Sequence, residues 1–180
     1  HNGAGSLYAH FTAALKEWNV EDEGELHDLL GVEFERQDGF VLLRQTAYIL
    51  KMCERYFETT VPAADKCNAT PCDKSLKPLV ERLVQAVKGV KVEDRVPVNP
   101  VLLKRYQSLV GALLYCATNT RPDIAYAVGL LCRGMSCPDE ELLEAAARVL
   151  TYLHHTRHIG LRYAAAARPV YGMSDSDWDV

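Results

Sequence analysis

Apolar side chains recur along this chain with two periods, and each change of period marks an element. Over residues 6–18, Leu7, Phe11, Leu15 and Trp18 repeat at helical spacing behind Ser6, which can cap. The acidic run Glu21-Asp22-Glu23-Gly24-Glu25 reads as a connector. From Leu30 the period shortens to two. Leu30, Val32 and Phe34 alternate with Gly31, Glu33 and Glu35, as in a half-buried strand. Asp38-Gly39 supplies turn chemistry and Phe40 to Leu43 the returning strand, so 29–44 is expected to be a β-hairpin. Helical spacing resumes behind Thr46, an expected cap, with Ile49, Met52, Cys53, Tyr56 and Phe57 in one stripe.

Residues 58–75 carry Pro62 and Pro71 and read as an extended connector. Leu79, Leu83 and Val87 predict a short helix near 78–88, and 89–98, with Gly89 and Pro97, is expected at the surface. Asn99-Pro100 is a cap followed by proline at the first helical position. Behind it Leu102, Leu103, Tyr106, Leu109, Val110, Leu113, Leu114 and Ala117 form a wide apolar face. Thr120-Arg121-Pro122-Asp123 has the form of a capping box, opening a helix that buries Ile124, Val128, Leu131 and Met135. Pro138 opens a third helix with Asp139, Glu140 and Glu141 in its first turn, where acids suit the dipole. Its core face is Leu142, Leu143, Ala146, Val149, Leu150 and Leu153. These three helices are expected to pack on one another. Ile159–Tyr163 and Val170–Ser174 read as two strands joined by the Ala164–Pro169 turn.

Composition narrows the class. With 48% hydrophobic and 24% charged residues in 180, the chain is globular, holding one ordinary domain or two small ones. No apolar run reaches the roughly 18 residues a bilayer span needs, so no membrane partner is expected. No basic-then-apolar leader opens the chain, and an intracellular location with reduced thiols is the expectation. His1 in place of methionine, and the end at Asp177-Trp178-Asp179-Val180, read as excision from something longer. The net charge of −4 lacks the basic footprint of a nucleic-acid binder, although local patches remain open. Six cysteines stand at 53, 67, 72, 116, 132 and 137, and with His154, His155 and His158 they offer a zinc reading. Cys116 and Cys132 fall on apolar helix faces, where cysteine packs as a small hydrophobe, so free thiols are the expectation.

Four stretches, in order, resemble the copia-type LTR-retrotransposon polyproteins. They are Leu29-Leu30-Gly31-Val32-Glu33-Phe34 with Gly39 and Gln45 to Leu50; Tyr106-Gln107-Ser108-Leu109-Val110-Gly111-Ala112-Leu113-Leu114-Tyr115; Thr120-Arg121-Pro122-Asp123-Ile124-Ala125-Tyr126-Ala127-Val128; and Ala145 to Leu153, continued by Gly160-Leu161 and Ser174-Asp175-Ser176-Asp177-Trp178. The resemblance runs over roughly residues 7–180, apart from the variable middle. It implies the end of a reverse transcriptase and the beginning of its RNase H, with an α+β fold. Residues 1–57 would be the palm-end helix, a primer-grip-like hairpin and the first thumb helix; 58–98 a variable connector; 99–157 a three-helix thumb/connection; and 158–180 the start of an RNase H-like domain, ending in two strands of an incomplete sheet.

The same resemblance places the polymerase aspartates upstream of the helix at 6–18. It makes Asp175 the first metal-binding carboxylate of RNase H, whose partners would lie past Val180. Mg2+ is then expected in the intact parent enzyme and none in the fragment alone, which is expected to be inactive by itself. The implied partners are an RNA/DNA primer–template and the remainder of the polyprotein, in a cytoplasmic particle and the nucleus. Leu30, Gly31 and Val32 of the hairpin, with Lys51, Arg55 and Lys104 on helices, are the candidate nucleic-acid contacts. From the residues alone, the hairpin reads as a plain element whose Gly31 eases a bulge, and Asp175-Ser176-Asp177 as a turn. The chain departs from the family at Gln107, Gly134, Glu144, Ala147, Thr151, His154 and Asp179, and several of these replace cations. A rival expectation is therefore a non-enzymatic helical interaction module, degenerate or domesticated, with no basic groove.

Overall fold

The computed structural model describes residues 3–15, 18, 24–57, 61–62 and 69–164. The expected strand at 170–174, Asp175, Asp177, Cys67 and the start of the acidic run lie outside the described residues.

The first helix, α1, is Gly3–Leu15, and Leu7 and Phe11 on it are exposed. The hairpin region is more folded than the alternation predicts. A two-residue strand β1 (Asp28–Leu29) pairs antiparallel with β2 (Val32–Gln37), and β2 pairs with β3 (Phe40–Arg44) around the expected Asp38-Gly39 turn. Leu30 and Gly31 are therefore not strand residues. Leu29 faces Val32 across a two-residue loop whose central residues both have positive φ, 54° at Leu30 and 81° at Gly31. That is the type I′ geometry a tight hairpin favours. Glycine takes it at no steric cost, whereas for leucine it is uncommon.

Helix α2 (Thr46–Phe57) follows at once, burying Ile49, Met52 and Cys53. Thr46 is its first residue rather than its cap, and its hydroxyl donates to the Arg157 carbonyl. The free amide of Ala47 is satisfied instead by the Glu33 carboxylate of β2 at 2.7 Å. Glu33 caps the helix from the neighbouring sheet, while Glu35 on the same face pairs with Arg44.

Helix α3 (Leu76–Val87) begins two residues earlier than expected and buries Leu76, Leu79 and Val80. Helix α4 (Pro100–Asn119) opens as its sequence dictates: the Asn99 side chain accepts from the Val101 amide at 2.9 Å, with Pro100 at the first position. The Thr120–Asp123 stretch is not a capping box. A 3-10 turn, Pro122–Ile124, leads into α5 (Ala125–Arg133) without a side-chain cap. Helix α6 (Glu140–His155) is capped by Asp139, which accepts from the Leu142 amide at 2.8 Å.

Segments that the sequence sets apart share one core. Helix α6 packs against α2, α3, α4 and α5, and the buried apolar residues of all five helices form one cluster. The chain then returns to the sheet. Strand β4 (Leu161–Ala164) pairs antiparallel with β3, with Leu43 opposite Leu161 and Phe40 opposite Ala164. The order β1-β2-β3-β4 thus joins the early hairpin to the last described strand. Among the described residues no helix is long and apolar enough to cross a membrane.

Candidate functional site

Helices α2 and α4 lie side by side and leave a groove of about 670 Å³ between them. On α2 the lining positions are Tyr48, Lys51, Met52, Arg55 and Tyr56, one face at spacings of three and four. On α4 they are Val101, Lys104, Arg105, Ser108, Leu109 and Ala112, again one face, with Pro100 at the mouth. Three of the candidate contacts, Lys51, Arg55 and Lys104, therefore converge although they lie on two helices and 53 positions separate the first from the last. All three are exposed, and among the described residues no carboxylate lines the groove.

Arg105 is a fourth cation there, which the sequence reading missed. Its guanidinium lies 4.6 Å from the centre of the Tyr56 ring and donates to the Tyr56 carbonyl at 3.3 Å. The contact fixes a planar cation on the wall of the groove. The signal for it was only its place beside Lys104 on a helical face. Burial pushes the Tyr56 hydroxyl's pKa up, Arg105 opposes this, and Glu140 and Glu144 of α6 reinforce it. Tyr48 is also raised, by burial and then by Cys116 and Tyr115, against Arg55. Both tyrosines keep their protons at neutral pH.

The β1–β2 turn reaches the same place. The Tyr48 ring packs on Gly31, where an added Cβ would sit 3.4 Å from the ring. Tyr48 meets Tyr115 edge-on at 5.2 Å, and the Tyr115 hydroxyl donates to the Leu30 carbonyl at 2.7 Å. Two aromatic side chains thus brace the turn against α2 and α4, with the Leu30 side chain projecting outward, 81% exposed. Val32 is different: it is buried at the start of β2, so Leu30 and Gly31 alone of that trio stand at the surface.

Asp175 lies outside the described residues. Among the described residues, no group of three or more His, Cys, Asp or Glu side chains converges to hold a metal ion. Cys53, Cys72, Cys116, Cys132 and Cys137 are all free thiols. Burial pushes the Cys53 thiol up to about 11 and the Cys116 thiol up to about 12. Thiolate is the reactive form, so in the native protein Cys53 and Cys116 are expected to resist iodoacetamide while the half-buried Cys72 and Cys132 react before them. Peptide mass spectrometry after timed alkylation reads this order, and equal rates at Cys116 and Cys72 would contradict it.

The chain is similar to several mobile-element proteins. It is 34% identical over 162 residues, 89% of its length, to the retrovirus-related Pol polyprotein from transposon RE1 of Arabidopsis thaliana. It is 34% identical over 154 residues to a putative transposon Ty5-1 protein of Saccharomyces cerevisiae, and 30% identical over 164 residues to the Pol polyprotein from transposon TNT 1-94 of Nicotiana tabacum. It spans 10%, 44% and 11% of the length of these three relatives. No protein-family model matches the chain, and no solved structure matches it significantly.

Proposed function

Since the chain belongs to the copia-type retrotransposon Pol polyproteins, we propose that it serves as a primer–template support segment of the reverse transcriptase. The observation that carries this reading is the convergence of Lys51, Arg55, Lys104 and Arg105 on one groove with no lining carboxylate among the described residues, in a chain of net charge −4. Cations so placed neutralise backbone phosphates and release counterions. The braced turn at Leu30-Gly31 offers a rigid backbone at one end of that groove, in the place the resemblance gives to the primer grip. The rival reading, an interaction module without a basic groove, does not account for these four side chains.

Chemistry on the nucleic acid belongs, in this proposal, to the longer polyprotein. Mg2+ held by Asp175 and further carboxylates would supply the Lewis acid and nucleophile of RNA cleavage. One carboxylate does not organise a two-ion site, and no acidic cluster among the described residues supplies the others. The described residues bind and orient.

The test is the salt dependence of binding to a labelled primer–template duplex. Charge reversal at Lys51, Arg55 or Lys104 is expected to weaken binding on the order of tenfold and to lower the log–log salt slope by about one per site. Affinity no greater than that of an unrelated acidic domain, or slopes unchanged by the reversals, would overturn the proposal.

A further inference from the structure

Phosphate contacts need only the rim of the α2–α4 groove, yet beneath that rim lies an apolar floor. Met52, Leu109 and Ala112 form it, with the Tyr48 ring at one side and the Tyr56–Arg105 pair at the other. A base-paired duplex is a stiff rod whose bases face inward, so it would contact the cationic rim and leave the floor empty. An unpaired nucleotide has what the duplex lacks: a flat, largely apolar base on a flexible, anionic backbone. Single-strand binding sites combine these same two surfaces, a cationic track and aromatic or guanidinium faces for stacking. Arg105, held by the Tyr56 ring and carbonyl, is a stacking face that pays little further ordering cost.

We infer that the groove between α2 and α4 takes an unpaired stretch of nucleic acid, such as a single-stranded overhang beside the duplex, with a base against Met52, Leu109, Ala112 and the Arg105 guanidinium and its phosphates on Lys51, Arg55 and Lys104. The groove's volume of about 670 Å³ accommodates a nucleotide, and its charge selects an anionic chain over a neutral one. This inference rests on the nucleic-acid reading above and adds a substrate preference to it: single strand in the floor, duplex on the rim.

The two readings separate by experiment. Ser108 lines the groove midway along α4 with its side chain exposed, so Ser108→Phe fills the floor without removing a cation or a core residue. Wild-type chain is titrated with a fluorescent single strand of about a dozen nucleotides, with a blunt duplex of the same sequence, and with an acidic, aromatic-containing peptide as competitor. The expected result is single-strand affinity above blunt-duplex affinity, falling at least tenfold in Ser108→Phe while duplex affinity and its salt slope stay unchanged. Val101→Trp, at the exposed lip of the groove, gives a second readout that does not depend on filling it. Its emission should quench on adding single strand and stay constant with blunt duplex. Duplex binding with no single-strand preference, or equal loss of both in Ser108→Phe, overturns this inference and leaves the support proposal standing. Binding of neither nucleic acid overturns both. Displacement of the single strand by the peptide at lower concentration than by unlabelled single strand overturns the inference in favour of a protein occupant.

Discussion

Asp123→Ala is expected to cost about 2–3 kcal/mol of stability, less than loss of one member of a fully buried ion pair because the Asp123 side chain is 34% exposed. The reason lies with its partner. The Arg121 side chain is wholly buried, and the Asp123 carboxylate receives it with two hydrogen bonds, Nε at 2.9 Å and Nη2 at 2.7 Å. The rest of the guanidinium is spent on the end of α6, on the Thr156 carbonyl at 3.1 Å and its hydroxyl at 2.7 Å. Tyr152 closes the network, donating to Asp123 at 2.9 Å with its ring 5.6 Å from the guanidinium carbon. Without Asp123 a full positive charge stays in the interior with only neutral acceptors. The double variant Arg121→Met with Asp123→Ala removes that charge and is expected to be more stable than Asp123→Ala alone. Urea denaturation of the two variants decides it; a cost under about 1 kcal/mol for Asp123→Ala would mean that water reaches Arg121 after all.

The same network gives a pH dependence with a fixed sign. Burial would raise the Asp123 pKa, but the hydrogen bonds from Arg121 and Tyr152 and the Arg121 charge outweigh it and hold the carboxyl below its ordinary value. The folded protein therefore binds the proton less tightly than the unfolded chain does. Its contribution is complete above the unfolded value of about 3.9 and is lost as pH falls through the lower folded value. Asp73 shifts the same way through its hydrogen bonds with Ser75, but it is exposed and adds little. Asp123→Asn should flatten the acid side of the stability curve.

This network also shows where the sequence stops being legible. The pattern Thr120-Arg121-Pro122-Asp123 fits a capping box, and the local rule has no means of knowing that Arg121 is buried. Its need for Asp123, Tyr152 and Thr156 comes from α6 packing against the α4–α5 junction. The Thr120 hydroxyl is likewise drawn away, donating to the buried Gln45 amide oxygen at 2.7 Å. Where the determinants are local, the reading largely holds: Asn99-Pro100 opens α4 as its chemistry requires, and Glu140 and Glu141 sit in the first turn of α6, although Asp139 as its cap, not Pro138, begins that helix. Leu30 fails because its alternation with Gly31 and Val32 is satisfied equally by a strand and by a strand start after a tight turn. What selects the turn is Tyr115, 85 positions away. The groove divides in the same manner. Lys51, Arg55 and Lys104 could be picked as cations on helix surfaces, but their convergence depends on how α2 seats beside α4.

Gly160→Ala should be the second severe substitution, at roughly 3 kcal/mol, the upper part of what overpacking costs. For a chain of this length that is a fall in Tm of roughly 6–12 °C. Gly160 sits just before β4, where the returning chain comes down on β3. A Cβ there would lie 2.1 Å from the Leu43 carbonyl oxygen and 3.1 Å from the Leu43 carbonyl carbon. Backbone cannot swing aside as a side chain does, so the cost falls on the β3–β4 pairing itself. Leu43–Leu161 is the register pair nearest the clash, and the packing of Arg162 on Phe40, 4.1 Å from guanidinium to ring, depends on the same alignment. Hydrogen exchange should then show β4 amides losing protection before the helices do. Two other glycines calibrate the result. At Gly134 the nearest atom to an added Cβ is the Leu142 Cδ2 at 2.4 Å, the movable end of a side chain, so alanine there should cost about 1 kcal/mol. At Gly111, inside α4, nothing lies within 4 Å, and alanine should stabilise by up to about 1 kcal/mol through helix propensity. If Gly160→Ala proved as mild as Gly134→Ala, with β4 exchange unchanged, the joining of the last strand to the hairpin would not be the tight backbone contact that holds the two ends of this fold together.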